Sequence, residues 1–159
     1  MKISLKPMND ESFSKYQNIM IPAYANENVQ SGRWDKSGAL ERSKNECFNL
    51  LPEGLKSKNN YLFDVIENTS GDHAGYIWVK VEDQASSKSA FIYDVGIYEN
   101  YRRKGYAKSA LHLIEKVVAE QGVTSIGLHV FNQNTGAQYL YNSIGYQMVS
   151  HNMRKIIKP

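Results

Sequence analysis

One cysteine in 159 residues leaves Cys47 without a partner inside the chain, so no internal disulfide can hold the fold. There is no N-terminal apolar segment of the kind that directs secretion, nor an apolar run long enough to span a bilayer, and the expected setting is a reducing cytoplasm without a membrane partner. Charge of one sign is also scarce. Lys and Arg outnumber Asp and Glu by only 19 to 16, the basic residues are scattered, and a pI near 8.8 does not demand nucleic acid. His73, His112 and His151 show no ligand spacing with one another or with Cys47, so no metal is expected. Two glycine patterns are missing as well: neither the P-loop nor the dinucleotide fingerprint occurs, and neither ATP nor NAD is indicated.

What is present is an ordinary share of hydrophobic residues, 42%, and eleven tyrosines, enough for a chain of this length to bury a core unaided. No repeat or linker divides it, and residues 1–159 are expected to form a single domain. Lys2 to Leu5 alternates as a strand. Pro7 and Asn9-Asp10 then stop it and cap a helix carrying Phe13, Tyr16 and Met20, which Pro22 is expected to end. Ala23 to Lys36 is polar and irregular, and Ser37 is placed to cap a second helix with Leu40, Cys47, Phe48 and Leu51 turned inward. Residues 23–59 thus read as a helical arm laid over the domain.

From Tyr61 the period becomes that of strands: Tyr61 to Ile66, a turn at Ser70-Gly71-Asp72, and Gly75 to Val81, followed by a polar loop from Asp83 to Ser89 and a third strand from Ala90 to about Tyr98. Ala107, Ala110, Leu111, Ile114, Val117 and Val118 then recur at helical spacing up to Gly122, and Thr124 to Val130 is strand-like again. Strand, helix and strand at this spacing fit one right-handed parallel crossover, so the sheet should be mixed. A short helix from Thr135 to Asn142, ended by Gly145, and two strands near Tyr146 to Val149 and Asn152 to Ile157 complete the expected order.

The junction before the long helix reads Arg102-Arg103-Lys104-Gly105-Tyr106-Ala107. A helix start offers free N–H groups and the positive end of the macrodipole, so a glycine-bearing turn with added cations suits a diphosphate. Taken alone, the same residues describe a solvated basic turn equally well. A second segment, Asn134-x-x-Ala137-x-x-Leu140-Tyr141-x-x-x-Gly145-Tyr146, follows at a fixed place in the order.

With these two motifs the chain resembles the GNAT superfamily of N-acetyltransferases, whose cofactor motif, Arg or Gln, two residues, Gly, one residue, Gly or Ala, matches Arg102 to Ala107. The family's Asn to Gly-Phe/Tyr motif matches Asn134 to Tyr146. The resemblance implies a single-domain α/β fold: a mixed, mostly antiparallel sheet with flanking helices and a splayed parallel strand pair. It implies acetyl-CoA as co-substrate, its pyrophosphate on Arg102, Arg103, Lys104, Gly105, Tyr106 and Ala107, its pantetheine arm along Val95, Gly96 and Ile97, with Asn134 and Tyr141 beside it.

Acetyl transfer to a primary amine by direct attack is the reaction that follows. It needs a neutral amine, a polarised carbonyl and a proton for the thiolate. The resemblance assigns that last proton to Tyr141, a phenol of pKa about 10 facing a thiolate of about 8.5 or higher. A backbone N–H near Ile97 would polarise the carbonyl. For the base, His129 stands where some relatives carry glutamate in Leu-Glu-Val, here Leu128-His129-Val130, with Asp94 as rival and Glu46 as a further candidate. Cys47 reads as a buried thiol and Trp34 as a residue of an acceptor pocket on the arm. The expected partners are a small-molecule or peptide amine and, for assembly, at most a second copy of the chain. Transfer of a longer acyl group, or a silent module binding acyl-CoA or nucleic acid through the basic turn, are the competing readings.

Overall fold

The computed structural model describes all of residues 1–159. Five strands form one sheet in the order β1-β2-β3-β4-β5: β1 is Ile3–Pro7, β2 Asn60–Glu67, β3 His73–Gln84, β4 Ser87–Ile97 and β5 Val123–Leu128. The first four are antiparallel to their neighbours, and β4 and β5 run parallel. The crossover between that pair is α3, Tyr106–Ala119. Its apolar face meets one side of the sheet, where Leu111, Ile114 and Val118 pack on Ile77, Val79, Val81, Ala90 and Ile92.

The other side of the sheet is covered by α1, Asp10–Gln30, and α2, Ala39–Leu50. Tyr16 and Met20 from α1 and Cys47 from α2 join Leu51, Leu62 and Trp78 in a second buried cluster. Trp78 is deeply buried and its indole N–H is satisfied by Asn60 Oδ1 at 2.9 Å. A short α4, Thr135–Ser143, leans on the α3 side through Leu140, Tyr141 and Ile144. No helix is long and apolar enough to cross a membrane.

The N-terminal half departs from expectation in three ways. Helix α1 runs through Pro22 to Gln30, so the stretch expected to be irregular is largely helical. An internal proline loses one hydrogen bond and crowds the preceding turn, but here the second half of the helix is fastened independently. Ala25 packs with Trp34 and Ala39, Asn28 donates to the Tyr24 carbonyl at 2.8 Å, and Ser43 of α2 donates to the Ile21 carbonyl at 2.7 Å.

Helix α2 is capped by Gly38 in the left-handed region, φ 76°, and not by Ser37. Its buried face is Ala39, Ser43 and Cys47, a spacing of four, which turns Leu40 and Phe48 toward solvent. The polar loop expected between Asp83 and Ser89 shrinks to two residues, because Asp83 pairs with Lys88 and Gln84 with Ser87.

The C-terminal expectation also fails. Residues 146–159 form no strand, and no residue after Tyr146 makes a backbone hydrogen bond. Their strand-like composition finds no partner within the molecule, and a strand without a ladder has no backbone satisfaction.

Candidate active site

The geometry of the site begins with a register shift. Trp78 faces Asp94 while Val79 faces Ile92, so Tyr93 is an extra residue on β4. Without the bulge, alternation would turn Ile92 and Asp94 to the same face. With it, Ile92 stays in the α3-side core while Tyr93 and Asp94 both turn toward α1. Tyr93 stacks on Trp78 with centroids 4.8 Å apart, and Tyr16 donates its hydroxyl to Asp94 Oδ2 at 2.7 Å. Burial pushes the Asp94 carboxyl up to about 6, against the opposing pull of the Tyr16 hydrogen bond.

The β4–β5 ladder ends at Ile92 opposite Leu128, and the rest of β4 has no neighbour on that side. Tyr98 sends its N–H to the Ala74 carbonyl of β3, so by alternation the backbone groups of Val95 and Ile97 point away from β3, into the gap. One of those groups is taken: Arg102 Nε donates to the Ile97 carbonyl at 2.8 Å. Gly96 is required for packing, since a Cβ there would lie 2.3 Å from the hydroxyl of Tyr76, its cross-strand partner. Tyr76 in turn lies between Tyr16 and Tyr98, with centroids 4.8 and 5.7 Å away.

At the far end of the gap α3 starts at Gly105, φ 79°, with no side-chain cap. The first bond of its ladder runs from Ser109 N–H to the Gly105 carbonyl, which leaves the N–H groups of Tyr106, Ala107 and Lys108 without helical partners. The cations of the turn divide. Arg102 is committed to Ile97, and Lys104 to Glu67 at 3.3 Å, where the buried Tyr106 hydroxyl also donates. These three residues fasten the turn to the sheet. Arg103, itself at φ 64°, and Lys108 carry exposed side chains with no ion pair.

Tyr141 is half-buried on α4, and burial first, then the charges of Asp94 and Glu27, pushes its phenol up to about 12. The same two carboxylates act on Tyr76. Asp94, Glu27, Tyr76 and Tyr141 therefore share one electrostatic environment between α1, β4 and α4. Glu27 belongs to the second half of α1 and is solvent-exposed, yet the surrounding protein displaces enough water to raise its carboxyl. Its backbone carbonyl accepts from Gln133 Nε2 at 3.2 Å, which ties the helix to the loop before α4.

The remaining candidates lie at the margins. His129 follows the end of β5, exposed, its ring edge-on to Phe131 at 4.9 Å. Partial burial and the nearby Arg33 charge lower its pKa, which favours the neutral imidazole. Asn134 caps α4, its Oδ1 accepting from Ala137 N–H at 3.2 Å. Trp34 is buried against Tyr24 beneath the Arg42 guanidinium. Glu46 lies within reach of Arg42 at 3.9 Å, and Cys47 is buried with its thiol pushed up by burial. No group of three or more His, Cys, Asp or Glu side chains converges to hold a metal. Sequence reasoning passed over Tyr16 and Glu27, because helical spacing marks Tyr16 as core and Glu27 lies beyond a proline that was expected to end the helix.

A parallel strand pair that parts midway, with an uncapped helix start at one end of the gap and a phenol and a carboxylate flanking it, defines a class of group-transfer domain. The model of the acetyltransferase (GNAT) family matches residues 25–146, and the chain belongs to that family. Two uncharacterized N-acetyltransferases of Bacillus subtilis are similar over nearly their whole length: YdgE, 36% identical over 98% of both chains, and YycN, 38% identical over 92% of this chain and 94% of that one. The crystal structure of YycN superposes with a TM-score of 0.94 over 99% of each chain, at 36% identity.

Proposed function

We propose that this acetyltransferase takes its acetyl group from acetyl-CoA and delivers it to a primary amine by direct attack in a ternary complex. The observation that carries the reading is the gap between β4 and β5. It is bounded by the free N–H groups at the start of α3 and by the stretch of β4 at Val95 and Ile97 that has no strand neighbour on that side, where Arg102 takes the Ile97 carbonyl. The first suits a diphosphate and the second an amide-bearing arm.

Asp94 is the proposed proton acceptor for the incoming ammonium. A carboxyl near 6 is ionised at neutral pH yet more basic than an ordinary aspartate, and it shares the site with Tyr141, whereas His129 is displaced to the strand end. The amine nitrogen attacks the thioester carbonyl, the C–S bond breaks, and the proton that the new amide nitrogen sheds goes to the departing sulfur, which leaves as the coenzyme A thiol. From a phenol near 12, complete proton transfer to a thiolate of about 8.5 is uphill by roughly 5 kcal/mol. Tyr141 therefore stabilises the departing sulfur as a hydrogen-bond donor. Glu27, Asp94 and the tyrosines around them would face a cationic acceptor, and the α1–α2 arm forms its side of the site.

The nucleic-acid reading is disfavoured by the turn itself, where Arg102 and Lys104 are tied down and only Arg103 and Lys108 stay without an ion pair. A panel of amines assayed for thiol release with acetyl-CoA and with longer acyl-CoAs tests the proposal. Absence of turnover together with absence of calorimetric coenzyme A binding would sink it.

A further inference from the structure

A buried carboxylate stands directly behind the basic turn. Glu67 is the last residue of β2, and three donors converge on its side chain. The Tyr106 hydroxyl reaches Oε2 at 2.5 Å, Lys104 Nζ the same oxygen at 3.3 Å, and the Ser70 hydroxyl Oε1 at 3.0 Å. Two of these donors belong to the start of α3, and the third to the hairpin between β2 and β3. That hairpin supplies a second tether, since the Tyr101 hydroxyl donates to Asp72 Oδ2 at 2.9 Å.

A negative charge behind an anion cradle works against the anion, so its place there calls for a structural reason. The backbone of the turn supplies one. Arg103 and Gly105, on either side of Lys104, hold φ of 64° and 79°. A non-glycine residue keeps a left-handed conformation only where its surroundings impose it. Arg103 makes no ion pair of its own, but both of its neighbours are pinned. Arg102 is bonded to the Ile97 carbonyl. Lys104 Nζ is held by Glu67 and lies 5.7 and 5.8 Å from the ring centroids of Tyr101 and Tyr106. The lysine also neutralises the carboxylate that fastens it.

Given the coenzyme A donor proposed above, we infer that Glu67 is a positioning residue of the donor site. It holds the turn in the left-handed path that presents the free N–H groups of Tyr106, Ala107 and Lys108 to the diphosphate. Glu67 acts through Lys104 and Tyr106 and not by contact with the cofactor. Lys104 is then a fastener of the turn, and the helix start with Arg103 meets the phosphate charge.

Calorimetric titration with coenzyme A tests this role. Glu67→Ala should weaken binding at least about 10-fold, because the cradle is no longer held in place. Glu67→Gln should keep the affinity within about threefold, since its carbonyl oxygen can accept from Tyr106 and Lys104 in place of Oε2. Tyr106→Phe removes one tether without opening a cavity and should weaken binding severalfold, which keeps the test available if Glu67→Ala does not fold. Pantetheine, which lacks the diphosphate, should bind the wild type and all three variants within about twofold of one another in an NMR titration. Wild-type coenzyme A affinity in Glu67→Ala and Tyr106→Phe would overturn the role, as would equal losses for coenzyme A and pantetheine, which mark general damage to the fold. Failure of the wild type itself to bind coenzyme A would instead sink the donor reading on which this role rests.

Discussion

The Tyr16 hydroxyl reaches Asp94 Oδ2 at 2.7 Å across 78 positions of sequence, linking the first helix to the bulged strand at the centre of the site. The bond lowers the pKa of a carboxyl that burial has raised to about 6. With Asp94 as the proton acceptor, kcat/KM should fall on the acid side near pH 6. Tyr16→Phe removes a bond that favours the charged form, so the limb should move to higher pH, and Asp94→Asn should lower kcat by about 100-fold or more. A limb unmoved by Tyr16→Phe and surviving in Asp94→Asn would transfer the role to another group, His129 first.

The same carboxyl should cost stability. Its folded pKa lies above the ordinary 3.8, so the folded state binds the proton more tightly and stability declines as pH rises from about 4 through about 6. A shift of this size corresponds to roughly 3 kcal/mol. Asp94→Asn is therefore expected to be more stable than the parent at pH 8 and to lose that advantage below pH 4. Urea unfolding at several pH values measures the difference directly.

Gly105 holds φ 79° at the start of α3 with open space where a Cβ would be. Gly105→Ala should cost about 1 kcal/mol from backbone conformation and raise KM for acetyl-CoA severalfold. Gly105→Glu adds an anion to the proposed diphosphate cradle and should abolish calorimetric coenzyme A binding. Wild-type affinity in Gly105→Glu would remove the cradle from the mechanism.

Tyr141→Phe deletes a phenol whose pKa near 12 keeps it protonated across the working range. Turnover should fall about 10- to 100-fold with acetyl-CoA affinity nearly unchanged, because the interaction exists mainly when the sulfur carries charge. Equal turnover in the variant would return Tyr141 to the role of a packing residue against Leu140 and Ile144.

Glu27 acts on Asp94 and Tyr141 from the second half of α1. Glu27→Gln should raise KM for a cationic acceptor while leaving KM for acetyl-CoA unchanged. Removing one negative charge should also lower the Asp94 limb, which separates an electrostatic role from simple loss of packing.

The α3 period was legible because that helix buries one clean face through Ala110, Leu111, Ile114 and Val118. The helices before it were less so. Pro22 reads locally as a stop, and only the packing of Ala25, Trp34 and Asn28 carries α1 past it. Within the basic turn, composition could not separate the cations that fasten it to Ile97 and Glu67 from Arg103, which remains exposed.

By itself the sequence determined the family, since two motifs at fixed spacing record local geometry: a left-handed glycine before one helix and an asparagine cap before another. The setting of Asp94 was decided only in three dimensions. One extra residue at Tyr93 reverses the alternation of β4 and turns Asp94 toward Tyr16. A bulge has no compositional signature, because it arises from which residues pair across strands and not from the residues of one strand.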